Sequence, residues 1–211
     1  MRILYLHGFA SSPASRKAQY FRRSMAANGI DLEIPDLAGG DFEGLTISGQ
    51  LGRVEQAARG EPVALIGSSL GGYLAALYAA RHPETGSLVL MAPAFGFARR
   101  WRERLGDAAI AEWKLRGSMA VFHYGVEREQ RIGYQLLEDG SGFEEVPTMT
   151  QPTLIFHGTR DEVVPAEASM QFARLNPQTD LRLVESDHEL LDVLEGVAKE
   201  ALRFLGVSGG V

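Results

Sequence analysis

Val63-Ala64-Leu65-Ile66-Gly67-Ser68-Ser69-Leu70-Gly71-Gly72 joins a short apolar run to a glycine-framed serine, and the alanine-rich stretch 73–80 follows at once. The apolar run has the length and character of a buried strand, and the alanine-rich stretch favours helix, so Ser69 falls on a strand-to-helix turn. The pattern is G-x-S-x-G. Glycines two before and two after the serine let neighbouring backbone come close, and a tight, strained turn then lifts the hydroxyl above the sheet edge. The same turn aims the Leu70 N–H into the site. Small residues also close ordinary strand-to-helix turns, and a glycine-rich helix start can bind phosphate instead. The flanking context favours Ser69 as a nucleophile. Ser68 is off-centre in the pattern and reads as a local hydrogen-bonding residue.

Outward from this turn, short apolar runs recur at residues 3–6, 32–34, 88–91, 153–156 and 181–184, each bounded by turn residues. They read as strands buried on both faces, as in a parallel sheet. Helical spacing fills most of the gaps. Ala18, Phe21 and Met25 share a face before Asn28 and Gly29, and Ile47, Leu51, Val54 and Ala58 share another ending at Gly60. Leu190, Leu191, Leu194, Val197, Ala201 and Leu205 form the apolar side of a terminal helix. Alternating strands and helices predict an α/β fold with an open, mostly parallel sheet and helices on both faces, for which we expect about six strands in order 2-1-3-4-5-6.

One gap breaks the rhythm, because residues 95–151 separate the fourth and fifth strands, well beyond an ordinary connection. We read this insertion as a cap within a single domain, residues 1–211. Residues 98–116 look helical with alternating charge, while 119–124 and 130–137 suit either a hairpin or a second helix. Trp101, Trp113, Phe122, Tyr124, Tyr134 and Phe143 make the insertion rich in aromatics. They line an apolar substrate pocket or form the cap's own small core, and both readings stay open. Arg99, Arg100, Arg102 and Arg104 read as a solvated helix face, with attraction of an anionic substrate such as an acyl-coenzyme A as the alternative. Residues 207–211 are expected to fray.

Composition narrows the classes. A chain of 211 residues suits one domain, and a 45% hydrophobic with 23% charged content excludes a disordered or fibrous protein. A net charge of −6 argues against nucleic-acid partners. The chain has no cysteine, which removes disulfides, thiol catalysis and cysteine metal sites. Arg2 leads into an apolar run too short for a signal peptide, and no run approaches the roughly 20 residues that span a bilayer. The expected location is the cytoplasm, away from membranes.

The residues that would complete a nucleophilic site lie after later strands. His157-Gly158-Thr159-Arg160-Asp161 leaves the fifth strand and puts an acid in the loop, where a carboxylate orienting the base belongs. Glu185-Ser186-Asp187-His188 follows the sixth strand, and His188 is the best-placed general base. In open α/β sheets the ends of successive parallel strands converge on one crevice, so Ser69, Asp161 and His188 can meet there. Singly, Asp161 could be a turn residue and His188 the start of the last helix; the argument lies in their joint occurrence and chain order. Glu162 and Asp187 read as charged loop residues. His157 packs at its strand end, His82 lies outside the expected site, and His123 reads as a surface histidine of the cap, with contact to substrate as the alternative.

His7-Gly8-Phe9-Ala10 follows the first strand on the same side of the sheet. The Phe9 N–H is the candidate second oxyanion donor beside Leu70 N–H, with Ala10 as an alternative donor and a plain glycine turn as the bland reading.

Leu4-Tyr5-Leu6-His7-Gly8-Phe9 with Ser11-Ser12-Pro13 and Lys17-Ala18, followed by Gly67-Ser68-Ser69-Leu70-Gly71-Gly72-Tyr73, resembles the small bacterial YqiA/YcfP-type esterases of the α/β-hydrolase superfamily. The likeness resumes near Asp161 and His188. It implies an α/β-hydrolase fold acting on carboxylic esters or thioesters of simple acyl groups through a Ser-His-Asp triad, with small-molecule substrates and without metal or cofactor. The chain departs at Asp187-His188-Glu189, where small or amide neighbours are more usual. Two rivals stand beside this reading: an amide or C–C bond hydrolase with the same triad, and a ligand-binding protein that keeps the fold without turnover.

Overall fold

In the computed structural model, which describes residues 2–207, the six apolar runs become strands of one parallel sheet. β1 (Arg2–Leu6), β2 (Leu32–Glu33), β3 (Val63–Ser68), β4 (Leu88–Met91), β7 (Thr153–Gly158) and β8 (Thr179–Val184) lie in the order β2-β1-β3-β4-β7-β8. That is the expected order, once the two strands inside the insertion are numbered. Parallel pairing brings Leu6 opposite Gly67, Ser68 opposite Met91 and Gly158 opposite Val184, so the segments leaving β1, β3, β7 and β8 emerge from one edge.

Alternation of side chains divides the core in two. Leu4, Leu6, Leu65, Leu90 and Ile155 point to one face, while Ile3, Tyr5, Ile66, Val89 and Phe156 point to the other. The first face is covered by α2 (Ile47–Ala58), α3 (Leu70–Arg81), α6 (Glu167–Leu175) and parts of the insertion. The second is covered by α1 (Arg16–Ala26) and α7 (Leu194–Phe204), through Ala18, Phe21 and Met25 on one and Val197 and Ala201 on the other. Each fully buried large apolar side chain contributes roughly 1.5–3 kcal/mol against the chain's conformational entropy.

Several local expectations need correction. β8 is an edge strand, and Asp180, Arg182 and Leu183 are exposed, so burial on both faces does not extend to it. Leu190 and Leu191 precede α7 rather than opening it; Leu190 is buried with φ 54, in a turn that feeds the helix. α2 begins at a Thr46 cap whose hydroxyl accepts from Gly49 N–H at 2.9 Å, and its C-cap is Arg59 at φ 58, one residue before the expected Gly60, which also has a positive φ of 68. α6 was not anticipated, since its only buried residues are Ser169 and Phe172. Val207 is buried and donates to the Leu202 carbonyl at 2.9 Å, whereas residues 208–211 of the expected frayed end lie outside the described residues.

The insertion resolves into α4 (Phe97–Arg116), an antiparallel hairpin of β5 (Ser118–His123) and β6 (Arg128–Gly133), and the short α5 (Gln135–Gly140). Both earlier alternatives are therefore used, the hairpin first and a helix after it. Gly106, at φ 77 and ψ 161, breaks α4 into two helical pieces. No helix among the described residues is long and apolar enough to cross a membrane.

Glycine spacing at the sheet edge generates a paired test. A Cβ on Gly71 would stand 2.1 Å from the Leu6 carbonyl oxygen, with rigid backbone on both sides. Gly52, inside α2, has open space around its missing Cβ. Gly71→Ala is expected to destabilise by roughly 3 kcal/mol or more, and Gly52→Ala to stabilise by about 0.5–1 kcal/mol. Urea denaturation of both variants checks the opposite signs.

Candidate active site

Ser69 caps α3 with φ 53 and ψ −119, a conformation costing a non-glycine residue about 1–3 kcal/mol. Surrounding bonds hold it there. Its N–H donates to the Met91 carbonyl at 2.9 Å, and its own carbonyl accepts from Gly72, Tyr73 and Ala94. His188 Nε2 lies 3.0 Å from Ser69 Oγ, and His188 Nδ1 lies 2.7 Å from Asp161 Oδ2. A carboxylate only accepts, so Nδ1 carries the proton donated to Asp161; in the neutral ring Nε2 is then the acceptor for the Ser69 hydroxyl. The structure thus brings Ser69, His188 and Asp161 into one hydrogen-bonded line.

Asp161 is held from four sides. Its Oδ1 accepts from Val163 and Val164 N–H at 2.9 and 2.8 Å, and its Oδ2 lies 3.2 Å from His157 Nε2 besides the His188 contact. Burial by itself would push this carboxyl up. The bonds from His157, His188 and Val164 outweigh it and hold the group well below the usual carboxylate range. Asp187 has a different task, with Oδ1 accepting from Glu189 and Leu190 N–H, and Glu162 is exposed.

Two histidines have roles the sequence did not reveal. His157 is fully buried, with Nδ1 2.7 Å from Ser169 Oγ and Nε2 shared between the Val164 carbonyl at 2.8 Å and Asp161. His7 accepts from Leu37 N–H through Nε2 at 3.3 Å, so its Nδ1–H donates to the Gly8 carbonyl at 3.0 Å. It ties the Gly8–Phe9 turn to the loop after β2. A strand-end histidine carries no sequence signal for either task, because the partners lie in other loops. His123 is buried rather than a surface residue, edge-on to Phe42, with Nδ1 accepting from Gly125 N–H; His82 sits away from the site between Glu55 and Glu84.

Gly8 packs against Ser69: a Cβ there would be 3.3 Å from the serine Cβ. This puts the Phe9 segment beside the nucleophile candidate, and among the described residues neither Phe9 N–H nor Leu70 N–H donates to a protein acceptor. Ala10 adopts φ 51, which completes the turn.

The four aromatics expected to bind substrate separate. Trp101 is partly exposed and meets the Phe9 ring edge-on at 5.2 Å, so it borders the site. Trp113 is a correction: it is 2% exposed, packs on Trp101 and Tyr134, and donates its Nε1–H to the Ile132 carbonyl, which makes it core of the insertion. Phe122 and Tyr124 lie 49% and 73% exposed and pack edge-on against each other at the end of the hairpin, whose Gly125 N–H donates to the Ala10 carbonyl at 3.4 Å. The arginines separate too. Arg99 pairs with Glu103 and Glu145, Arg102 bonds Ser141, and Arg104 is exposed, whereas the Arg100 Nε and Nη1 are buried and find no acceptor among the described residues.

The parallel sheet order, the strained serine turn and the insertion after β4 define an α/β-hydrolase fold. The chain belongs to the uncharacterised protein family UPF0227, which it matches over residues 2–205 and to which the YqiA/YcfP-type resemblance pointed. No curated protein matches it in sequence. Among solved structures it is similar to mouse alpha/beta hydrolase domain-containing protein 10, with 22% identity and a TM-score of 0.78 over 97% of this chain and 89% of that one. Est1E from Butyrivibrio proteoclasticus, solved with ferulic acid bound, gives 21% identity and 0.78 over 97% and 89%. The Paleococcus ferrophilus monoacylglycerol lipase gives 15% and 0.76 over 98% and 94%.

His7 supplies a pH test. Burial pushes its imidazole below the ordinary histidine value, against weaker upward pulls from its Gly8 bond and the Asp36 charge. The unfolded chain therefore takes up a proton near pH 6.5 that the folded protein refuses, so stability rises with pH through this window and falls on acidification. Asp161, held low, contributes its own loss only below about pH 4. Urea unfolding is expected to give lower stability at pH 5.5 than at 7.5, with a shallower slope in His7→Gln.

Proposed function

We propose that this protein is a serine hydrolase that cleaves carboxylic esters or thioesters of simple acyl groups through an acyl-enzyme. The observation that carries the reading is the line from Ser69 Oγ through the His188 ring to the buried Asp161 carboxylate, set on a strained turn at the open edge of the sheet. His188 Nε2 takes the Ser69 proton as the oxygen attacks the substrate carbonyl, and Asp161 stabilises the imidazolium. The oxyanion rests on Phe9 and Leu70 N–H, two donors with no protein acceptor among the described residues. His188 then protonates the leaving alcohol or thiol and activates water to release the acid. In this reading residues 95–151 cap the site within one domain, and Trp101 lines the acyl path. The lipase and the ferulic-acid-bound protein named above share the fold, which supports small-molecule esters as substrates. Neither the amide or C–C alternative nor a purely binding role draws on a specific feature of the site.

Turnover of p-nitrophenyl acetate and butyrate tests this. Ser69→Ala and His188→Ala are expected to lose it, and Asp161→Asn to lose roughly 10⁴-fold in kcat by leaving the base in the wrong tautomer. Failure of the wild type to hydrolyse either ester, or retention of turnover by Ser69→Ala, contradicts the assignment.

A further inference from the structure

Arg100 occupies the first turn of α4, between Phe97 and Trp101, both of which pack on Phe9. Its backbone is ordinary helix, with N–H donating to the Gly96 carbonyl at 3.0 Å. Its side chain is not ordinary, because Nε and Nη1 are shut away from solvent with no acceptor among the described residues. The acids within electrostatic reach are committed elsewhere. Glu103 is bonded to Arg99 at 2.7 Å, and Asp161 has both oxygens filled by Val163, Val164, His157 and His188. A guanidinium has five donors in a fixed fork and stays charged in proteins, so it cannot escape burial by losing its proton. Burial and the neighbouring Arg99 both disfavour its charge, while Asp161 and Glu103 offset this in part.

We infer that Arg100 is a specificity determinant that receives an anionic group, carboxylate or phosphate, on the acyl or the alcohol side of the substrate. The inference rests on the hydrolase reading and narrows it to charged esters or thioesters. Position supports it. Arg100 lies on the turn of α4 whose Phe97 and Trp101 pack on Phe9, and the Gly8–Phe9 segment packs against Ser69, so an anion bound at Arg100 would lie beside the same site. Pairing the buried Nε and Nη1 with an incoming anion satisfies donors that have no acceptor among the described residues.

Two matched ester pairs test it. p-Nitrophenyl hemisuccinate against p-nitrophenyl butyrate places the charge on the acyl side, and 4-butyryloxybenzoate against its methyl ester places it on the alcohol side. The ratio of kcat/KM for charged over neutral ester is expected to fall roughly tenfold or more in Arg100→Gln for at least one pair, mainly through KM. The pair that responds identifies the side. Arg100→Lys is expected to recover part of the ratio, and Arg104→Gln, exposed on the same helix, to keep it. The Tm of Arg100→Gln is expected to hold or rise, because a buried unpaired charge has been removed. Ratios that shift by less than about threefold in both pairs overturn the inference; a clear drop in Tm with unchanged ratios does so too, by showing a structural arginine. If wild type hydrolyses the neutral esters while the ratios stay put, only the Arg100 assignment falls. If it hydrolyses none of the four, the hydrolase reading has failed and Arg100 falls with it.

Discussion

The close passage of bare backbone around Ser69 is the constraint on which the rest of the site depends. A Cβ on Gly67 would lie 2.5 Å from the Gly71 carbonyl oxygen, and one on Gly71 would lie 2.1 Å from that of Leu6. Only glycine at both positions lets β3 turn into α3 beside the end of β1. That turn forces Ser69 to φ 53, raises its hydroxyl from the sheet edge and leaves the Leu70 N–H without an acceptor among the described residues. The hydrogen bonds from Ser69 N–H to Met91 and from Ala94 to the Ser69 carbonyl then anchor the turn to the end of β4. Strain at one residue is stable because the fully buried inner strands on either side fix its ends.

Asp161 and His188 are held by an equivalent contact two strands away. A Cβ on Gly158 would stand 2.4 Å from the Ser186 carbonyl, so the segments leaving β7 and β8 run against each other. Asp161 and His188 project from those segments and meet at 2.7 Å. His157 adds a second imidazole to the Asp161 carboxylate, so the carboxylate arrives charged, fully bonded and unable to rotate away from His188. Parallel pairing does the remaining work, since the ends of β1, β3, β7 and β8 face one crevice and deliver Phe9, Ser69, Asp161 and His188 to it without any long-range side-chain search.

What the sequence made legible follows from how local each signal is. The inner strands are continuous apolar runs, and their alternation with helices made a parallel sheet readable from spacing, whereas alternation by itself does not fix the pairing order. α6 was not, because a helix lying over an edge strand buries little beyond Ser169 and Phe172 and shows no broad apolar stripe. Ser69, Asp161 and His188 could be named because each follows a strand in a fixed order. His157 and His7 could not, since their bonds to Asp161 and Leu37 are made across loops. The aromatics and arginines of the insertion illustrate the same limit: Trp101 and Trp113 look alike in sequence, as do Arg99 and Arg100. Burial and partner choice separate them, and those depend on the break of α4 at Gly106 and on contacts such as Trp113 Nε1–H with the Ile132 carbonyl.

The most direct test of the account is to react the protein with a fluorophosphonate, map the modified peptide and solve the adduct. Modification of Ser69 alone, with a phosphonyl oxygen about 2.7–3.1 Å from both the Phe9 and Leu70 nitrogens, is the predicted result. No modification, or a label on any other residue, would contradict the claim that this strained serine is an activated nucleophile facing a preformed pair of donors.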